Sequence, residues 1–174
     1  MGCSGVAYQG GADDESGISD AQFVKKIKQK IDYLVKWQDT MNDIESVRGS
    51  IVKWSGNIVE IRNDRIQIVG RMVFKSHFDS PLIQLDRNDP HNFNLFDNFL
   101  FLIDHPLPRE TRIGEIIQTV KVWDDIFVAG KVTGLETIVT ASGQNLTMPI
   151  VQGYILSKDN DAGFSNPVWV GNKM

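Results

Sequence analysis

Three histidines, His77, His91 and His105, stand among the acids Asp79, Asp89 and Asp104. Imidazoles with carboxylates form a ligand set for divalent transition metals. Their spacing works against it, because no pair has the His-x-x-x-His separation that puts two ligands on one helix face. Asp86-Arg87-Asn88-Asp89-Pro90 offers the hard oxygens calcium takes, without the central glycine or closing glutamate of a calcium loop. It reads as a polar turn. A serine nucleophile is announced by G-x-S-x-G on a strand-to-helix turn, whereas Gly163-Phe164-Ser165 runs into Asn166-Pro167. No glycine-rich phosphate loop occurs either. With no nucleophile nominated beside a base, the chain reads as non-enzymatic, with no cofactor, metal or small-molecule substrate.

Cys3 is the single cysteine, which excludes an intrachain disulfide and a Cys-cluster zinc site. Its setting, Met1-Gly2-Cys3-Ser4-Gly5, supports three readings. It resembles a bacterial lipoprotein at its lipidated cysteine, with Gly2 before it and Ser4 favouring sorting to the outer membrane. A eukaryotic reading places myristate on Gly2 and palmitate on Cys3, although Val6 stands where that pattern wants Ser or Thr. The third is an incidental cysteine at a cytosolic N-terminus. The lipoprotein reading is the one carried forward.

The elements that must position such an anchor follow from composition and period. With 174 residues, 41% of them apolar, the chain can bury one real core. A net charge of -4 and a pI near 5.3 argue against nucleic acid as the general partner. No apolar run approaches the roughly 18 residues needed to span a bilayer as a helix. Residues 1–18 hold five glycines and Asp13-Asp14-Glu15, and read as a flexible tether bearing the anchor.

Ser19 and Gln22 have capping-box spacing. Phe23, Ile27, Ile31, Leu34, Val35 and Met41 then recur at helical period among lysines, predicting one amphipathic helix from 19 to about 46, within a unit 19–48. From Ile51 the period becomes strand-like. Strands are predicted at 50–61, 65–73, 98–103, 126–133 and 149–156, with a turn at Arg62-Asn63-Asp64 and a short helix over 112–118. Gly56 and Gly130 interrupt two of these strands, where glycine marks a bend, a bulge or a close backbone approach. A polar tail follows from 158, in which Val168-Trp169-Val170 has the composition of a short returning strand. The expected fold is mainly β: a small OB-like Greek-key β-barrel over 50–157 with an N-terminal amphipathic α-helix.

Val52-Lys53-Trp54-Ser55-Gly56-Asn57-Ile58, then Ile126-Phe127-Val128-Ala129-Gly130-Lys131-Val132-Thr133-Gly134, then Pro149-Ile150-Val151 follow one another in a familiar order. This order resembles the Slp family of outer-membrane lipoproteins, named for a starvation-inducible protein. The resemblance covers about half the chain. It implies a lipid-anchored, periplasm-facing outer-membrane protein, held through Cys3, that docks on envelope proteins within a larger assembly. The docking surface would be the helix face of Phe23, Ile27 and Ile31, or the open barrel edge. The alternative is a single-strand nucleic-acid binder stacking bases on a barrel face around Trp54, Arg71 and Lys131.

Overall fold

The computed structural model describes residues 18–62, 64–70, 98–112, 115–118, 120–139, 143, 145–158 and 160–173. Among the described residues three helices, α1 (Asp20–Lys30), α2 (Trp37–Asn42) and α3 (Ile44–Val47), precede eight strands. These are β1 (Ile51–Ile61), β2 (Arg65–Gly70), β3 (Asn98–Leu102), β4 (Arg109–Arg112), β5 (Glu115–Gln118), β6 (Asp125–Val139), β7 (Asn145–Lys158) and β8 (Trp169–Val170). The fold is mainly β.

Six strands form one sheet in the order β3-β2-β1-β6-β7-β8, with β4 and β5 as a separate hairpin. Neighbours in that order are antiparallel. One further pairing is parallel and sets Leu100, Phe101 and Leu102 of β3 beside Ile150, Val151 and Gln152 of β7. Pairings therefore run in a cycle from β1 through β2, β3, β7 and β6 back to β1. Alternation along the strands sends one set of side chains inward. Val52, Ile58, Ile66, Ile68, Phe99, Phe101, Val128 and Leu156 meet there in a core closed by Trp169. Phe101 and Trp169 meet edge to face at 5.8 Å, and Trp54 and Phe99 at 5.1 Å.

Two opposed glycines permit the close crossing, since Gly130 of β6 faces Gly153 of β7. A Cβ on Gly130 would lie 2.6 Å from Val151 Cγ1, and one on Gly153 would lie 2.5 Å from Phe101 Cζ. The sequence reading of Gly130 as a place of close approach is met here. Gly153 is its unforeseen partner.

The region from residue 18 to β1 departs from one long helix. α1 has the expected capping box, with Ser19 Oγ accepting from the Gln22 amide and Gln22 Oε1 accepting from the Ser19 amide. It ends at Lys30 because the chain pairs with β1: Ile31 bridges Ile51, and the Asp32 amide donates to the Ile51 carbonyl at 2.8 Å. Phe23, Val24, Ile27 and Ile31 pack on the outer side of the sheet against Ala129, Tyr154, Ile155 and Phe164. Val35, Trp37, Ile44 and Val47 pack against the inner core, and Trp37 Nε1 donates to the Asn98 carbonyl. One straight helix cannot serve both sides.

Two further expectations need correction. Arg109–Arg112 and Glu115–Gln118 pair as the antiparallel strands β4 and β5, in place of a short helix over 112–118; Thr111, Ile116 and Ile117 are β-branched, and seven residues are too few for period alone to decide. β6 and β7 run longer than 126–133 and 149–156 and form an arm paired out to Val139 and Asn145. In the segment from 158 the expected returning strand is present: β8 pairs with β7, and Phe164 and Trp169 are buried.

Candidate functional site

α1 and the turns at 160–168 leave between them an open groove of about 660 Å³. Val24, Phe164 and Pro167 line its apolar part, while Lys25, Lys28 and Tyr33 stand along α1 and the turn after it. The far wall is shaped by Asp161. Its carboxylate accepts from the amides of Ser165 at 2.7 Å and Asn166 at 2.8 Å, and from the Ser157 hydroxyl at 2.9 Å. This holds Phe164, a buried residue with a left-handed φ of 56°, in a conformation that non-glycine residues seldom take. Partial burial pushes the Asp161 carboxyl up, but the amides of Asn166 and Ser165, the Ser157 hydroxyl and Lys28 together hold it below its ordinary value.

Lys53 sits beneath this turn on the outer face of β1. Its ammonium lies 5.3 Å from the ring centroids of both Phe127 and Phe164 and donates to the Ala162 carbonyl. Partial burial lowers its pKa, neighbouring Lys28 lowers it further, and Asp161 opposes both. The arrangement is a cation fixed between two rings under a carboxylate-stapled turn. Lys28 and Lys25 extend the positive side toward solvent.

Asp161→Ala is expected to cost about 1 kcal/mol, reduced by solvent screening from what three charge-assisted bonds give when buried. A carboxylate with a lowered folded-state pKa contributes fully above its unfolded value and loses that contribution as pH falls through the folded value. Urea midpoints of wild type and variant should therefore differ by a constant amount from neutrality down to about pH 4, and converge below it. A gap that widens on acidification would overturn this role for Asp161.

A second polar group pins the C-terminal segment. Asp104 Oδ1 lies 2.6 Å from His105 Nδ1, and Asp104 Oδ2 accepts from the Asn172 amide at 2.7 Å. The His105 ring stacks on Trp169 at 4.9 Å, and Trp169 Nε1 donates to the His105 carbonyl. Among the described residues the ring makes no other hydrogen bond, and the pair holds the imidazole against Trp169. Among the described residues no three His, Cys, Asp or Glu side chains are grouped to hold a metal. His77 and His91 lie outside the described residues.

The residues singled out in the sequence are placed as follows. Cys3 and Arg71 lie outside the described residues. Phe23, Ile27 and Ile31 are buried at 2%, 2% and 8% exposure against the chain's own sheet. That corrects their reading as a partner-docking face, because the apolar stripe is consumed in folding. Trp54 and Lys131 do not share a face. Trp54 is opposite Val128 and packs on the inner core, whereas Lys131 is opposite Ile51, which packs on the outer side. The Trp54 indole also donates to the Val35 carbonyl. The nearest described arginines on β2 and its turn are engaged by acids: Arg62 with Glu60 at 2.8 Å and Arg65 with Glu136 at 2.7 Å. Trp54 and Lys131 therefore do not stand together on one stacking face.

The Lys53–Phe127–Phe164–Asp161 group was not visible in the sequence reading. Its one local signal was the turn-rich Asp159-Asn160-Asp161-Ala162-Gly163 run with a phenylalanine directly after it. Compared with family models, curated proteins and solved structures, the chain matches none.

Proposed function

We propose that this chain is a non-enzymatic interaction subunit of the bacterial cell envelope, carried on the periplasmic face of the outer membrane by an acylated Cys3. Its body on this reading is an OB-like Greek-key barrel. The observation that carries the fold reading is the cycle of pairings from β1 through β2, β3, β7 and β6, with β3 parallel to β7. A five-strand, partly open Greek-key barrel has this kind of closure. The similarity to Slp-type lipoproteins and the Gly2-Cys3-Ser4 setting support the anchor.

With the α1 stripe used in folding, the surface left for envelope proteins is the β6–β7 arm. Among the described residues, β6 from Gly134 to Val139 pairs with β7 alone. Val139 is 69% exposed there. A strand edge of this kind accepts a strand from a partner.

Intact mass on the protein from its native membrane fraction tests the anchor. The expected result is a gain at Cys3 matching a diacylglycerol plus one fatty acyl chain. Cys3→Ala should move the protein to the soluble fraction with its unfolding midpoint unchanged. Wild-type protein found unmodified in the soluble fraction would overturn the reading.

A further inference from the structure

We propose that the exposed face of α1, with the turn after it, is a membrane-contact surface that lies against an anionic phospholipid bilayer. Packing decides which side of α1 is free. Phe23, Val24 and Ile27 face the sheet, so Lys25, Lys26, Lys28 and Lys30 stand on the solvent arc, and all four are exposed. Among the described residues none of these four has a carboxylate within ion-pair distance.

The acids of the same stretch are already occupied. Asp20 pairs with Lys173 at 2.7 Å, and Asp32 Oδ1 accepts from the Leu34 amide at 3.0 Å. Residues 19–36 hold five lysines and two aspartates, a local positive excess in a chain of net charge -4. Such a patch on an acidic protein selects a negative partner.

The second observation gives that partner its class. Tyr33 and Leu34 follow α1 directly and are 61% and 84% exposed, two of the four large hydrophobics left out among the described residues. Tyr33 lines the groove together with Lys25 and Lys28, so apolar and cationic groups share one surface. The headgroup–acyl boundary takes this combination. Leucine and the tyrosine ring enter it, and lysine stems reach along it with their ammonium groups at the phosphates. An acidic protein surface would satisfy the lysines but leave Leu34 without a counterpart.

This face begins at Asp20, close in sequence to Cys3. On the lipid-anchored reading the acyl chains hold the protein at the bilayer, and the basic face sets which side of the body lies against the phosphates. The proposal rests on the lipid-anchored reading for the place of the bilayer. It is tested without the lipid.

The test is flotation of the purified Cys3→Ala chain with vesicles of phosphatidylcholine, with and without phosphatidylglycerol, at low and high salt. Binding should favour the phosphatidylglycerol vesicles by about tenfold or more and weaken as salt rises. Lys25→Glu with Lys28→Glu should remove at least about tenfold of it, and Leu34→Ser should weaken the remainder. Lys121→Glu should change little, since residues 121–124 flank Ile58 at the other end of β1 from Ile51, where α1 ends. Equal binding to both vesicles, or indifference to the double reversal, would overturn the proposal. No vesicle binding at all would do the same. Loss of acylation at Cys3 in the mass experiment would leave a positive flotation result standing, so the two readings fail separately.

Discussion

Gly153→Val is expected to cost the fold about 3 kcal/mol or more, at the top of the range for overpacking a dense interior. Gly153 lies where β7 passes between β6 and β3. A Cβ there would stand 2.5 Å from Phe101 Cζ and 2.6 Å from the Leu102 carbonyl oxygen. The carbonyl belongs to the parallel pairing of β3 with β7 and cannot turn aside without breaking it. Phe101 has no room to swing, being fully buried and held edge to face by Trp169. The opposite strand gives no relief, because Gly130 is itself pressed against Val151. The added methyls must therefore push β3 and β7 apart, opening the one pairing that completes the cycle of strands.

Urea denaturation should show the loss as a lower midpoint at an unchanged slope. Gly143→Ala is the contrast. Gly143 has a φ of +84° and nothing within 4 Å of its would-be Cβ, so only the backbone penalty of about 1 kcal/mol applies. A Gly153→Val loss no larger than that of Gly143→Ala would mean that β3 and β7 do not meet as described.

What could be read in advance was whatever depended on near neighbours in the chain. β1 and β2 stood out because Val52, Ile58, Ile66 and Ile68 alternate with more polar residues around an Arg-Asn-Asp turn. The start of α1 was legible because a capping box is a spacing rule. Its end was not, because Leu34, Val35 and Met41 continue the helical period while the Asp32 amide is taken by a carbonyl from β1.

The lengths of β6 and β7 were hidden for a related reason. Register slips at Ala129/Gly130 and Val132/Gly134 shift the alternation, so counting by twos stops short of the arm. The groove group was beyond sequence reasoning altogether. Lys53, Phe127 and Phe164 come from β1, β6 and the turn after β7, and no spacing rule joins them. Trp54 and Lys131 illustrate the converse. Both lie on predicted strands, yet the register puts them on opposite faces.

Phe23→Ala is expected to cost the isolated chain about 3 to 4 kcal/mol, as deleting a buried aromatic ring does when the site cannot collapse. Phe23 is 2% exposed and meets Tyr154 edge to face at 5.9 Å, over Ala129 and Ile155 of the sheet. α1 has 11 residues, a length at which helices are marginal in water, so its helicity comes from this packing and not from propensity. The variant should therefore lose helical signal together with stability, measured by circular dichroism along the urea transition. Had the stripe of Phe23, Ile27 and Ile31 been a surface waiting for a partner, its truncation would leave the lone chain unaffected. Leu34→Ser separates the two roles on the same stretch. At 84% exposure it should change stability by no more than about 0.5 kcal/mol while weakening attachment to anionic vesicles. Stability lost at Phe23 and membrane affinity lost at Leu34 would place folding on one face of this segment and contact on the other. If Phe23→Ala proved neutral in the chain alone, α1 would not be docked on the sheet, and its apolar stripe would again be free for another protein.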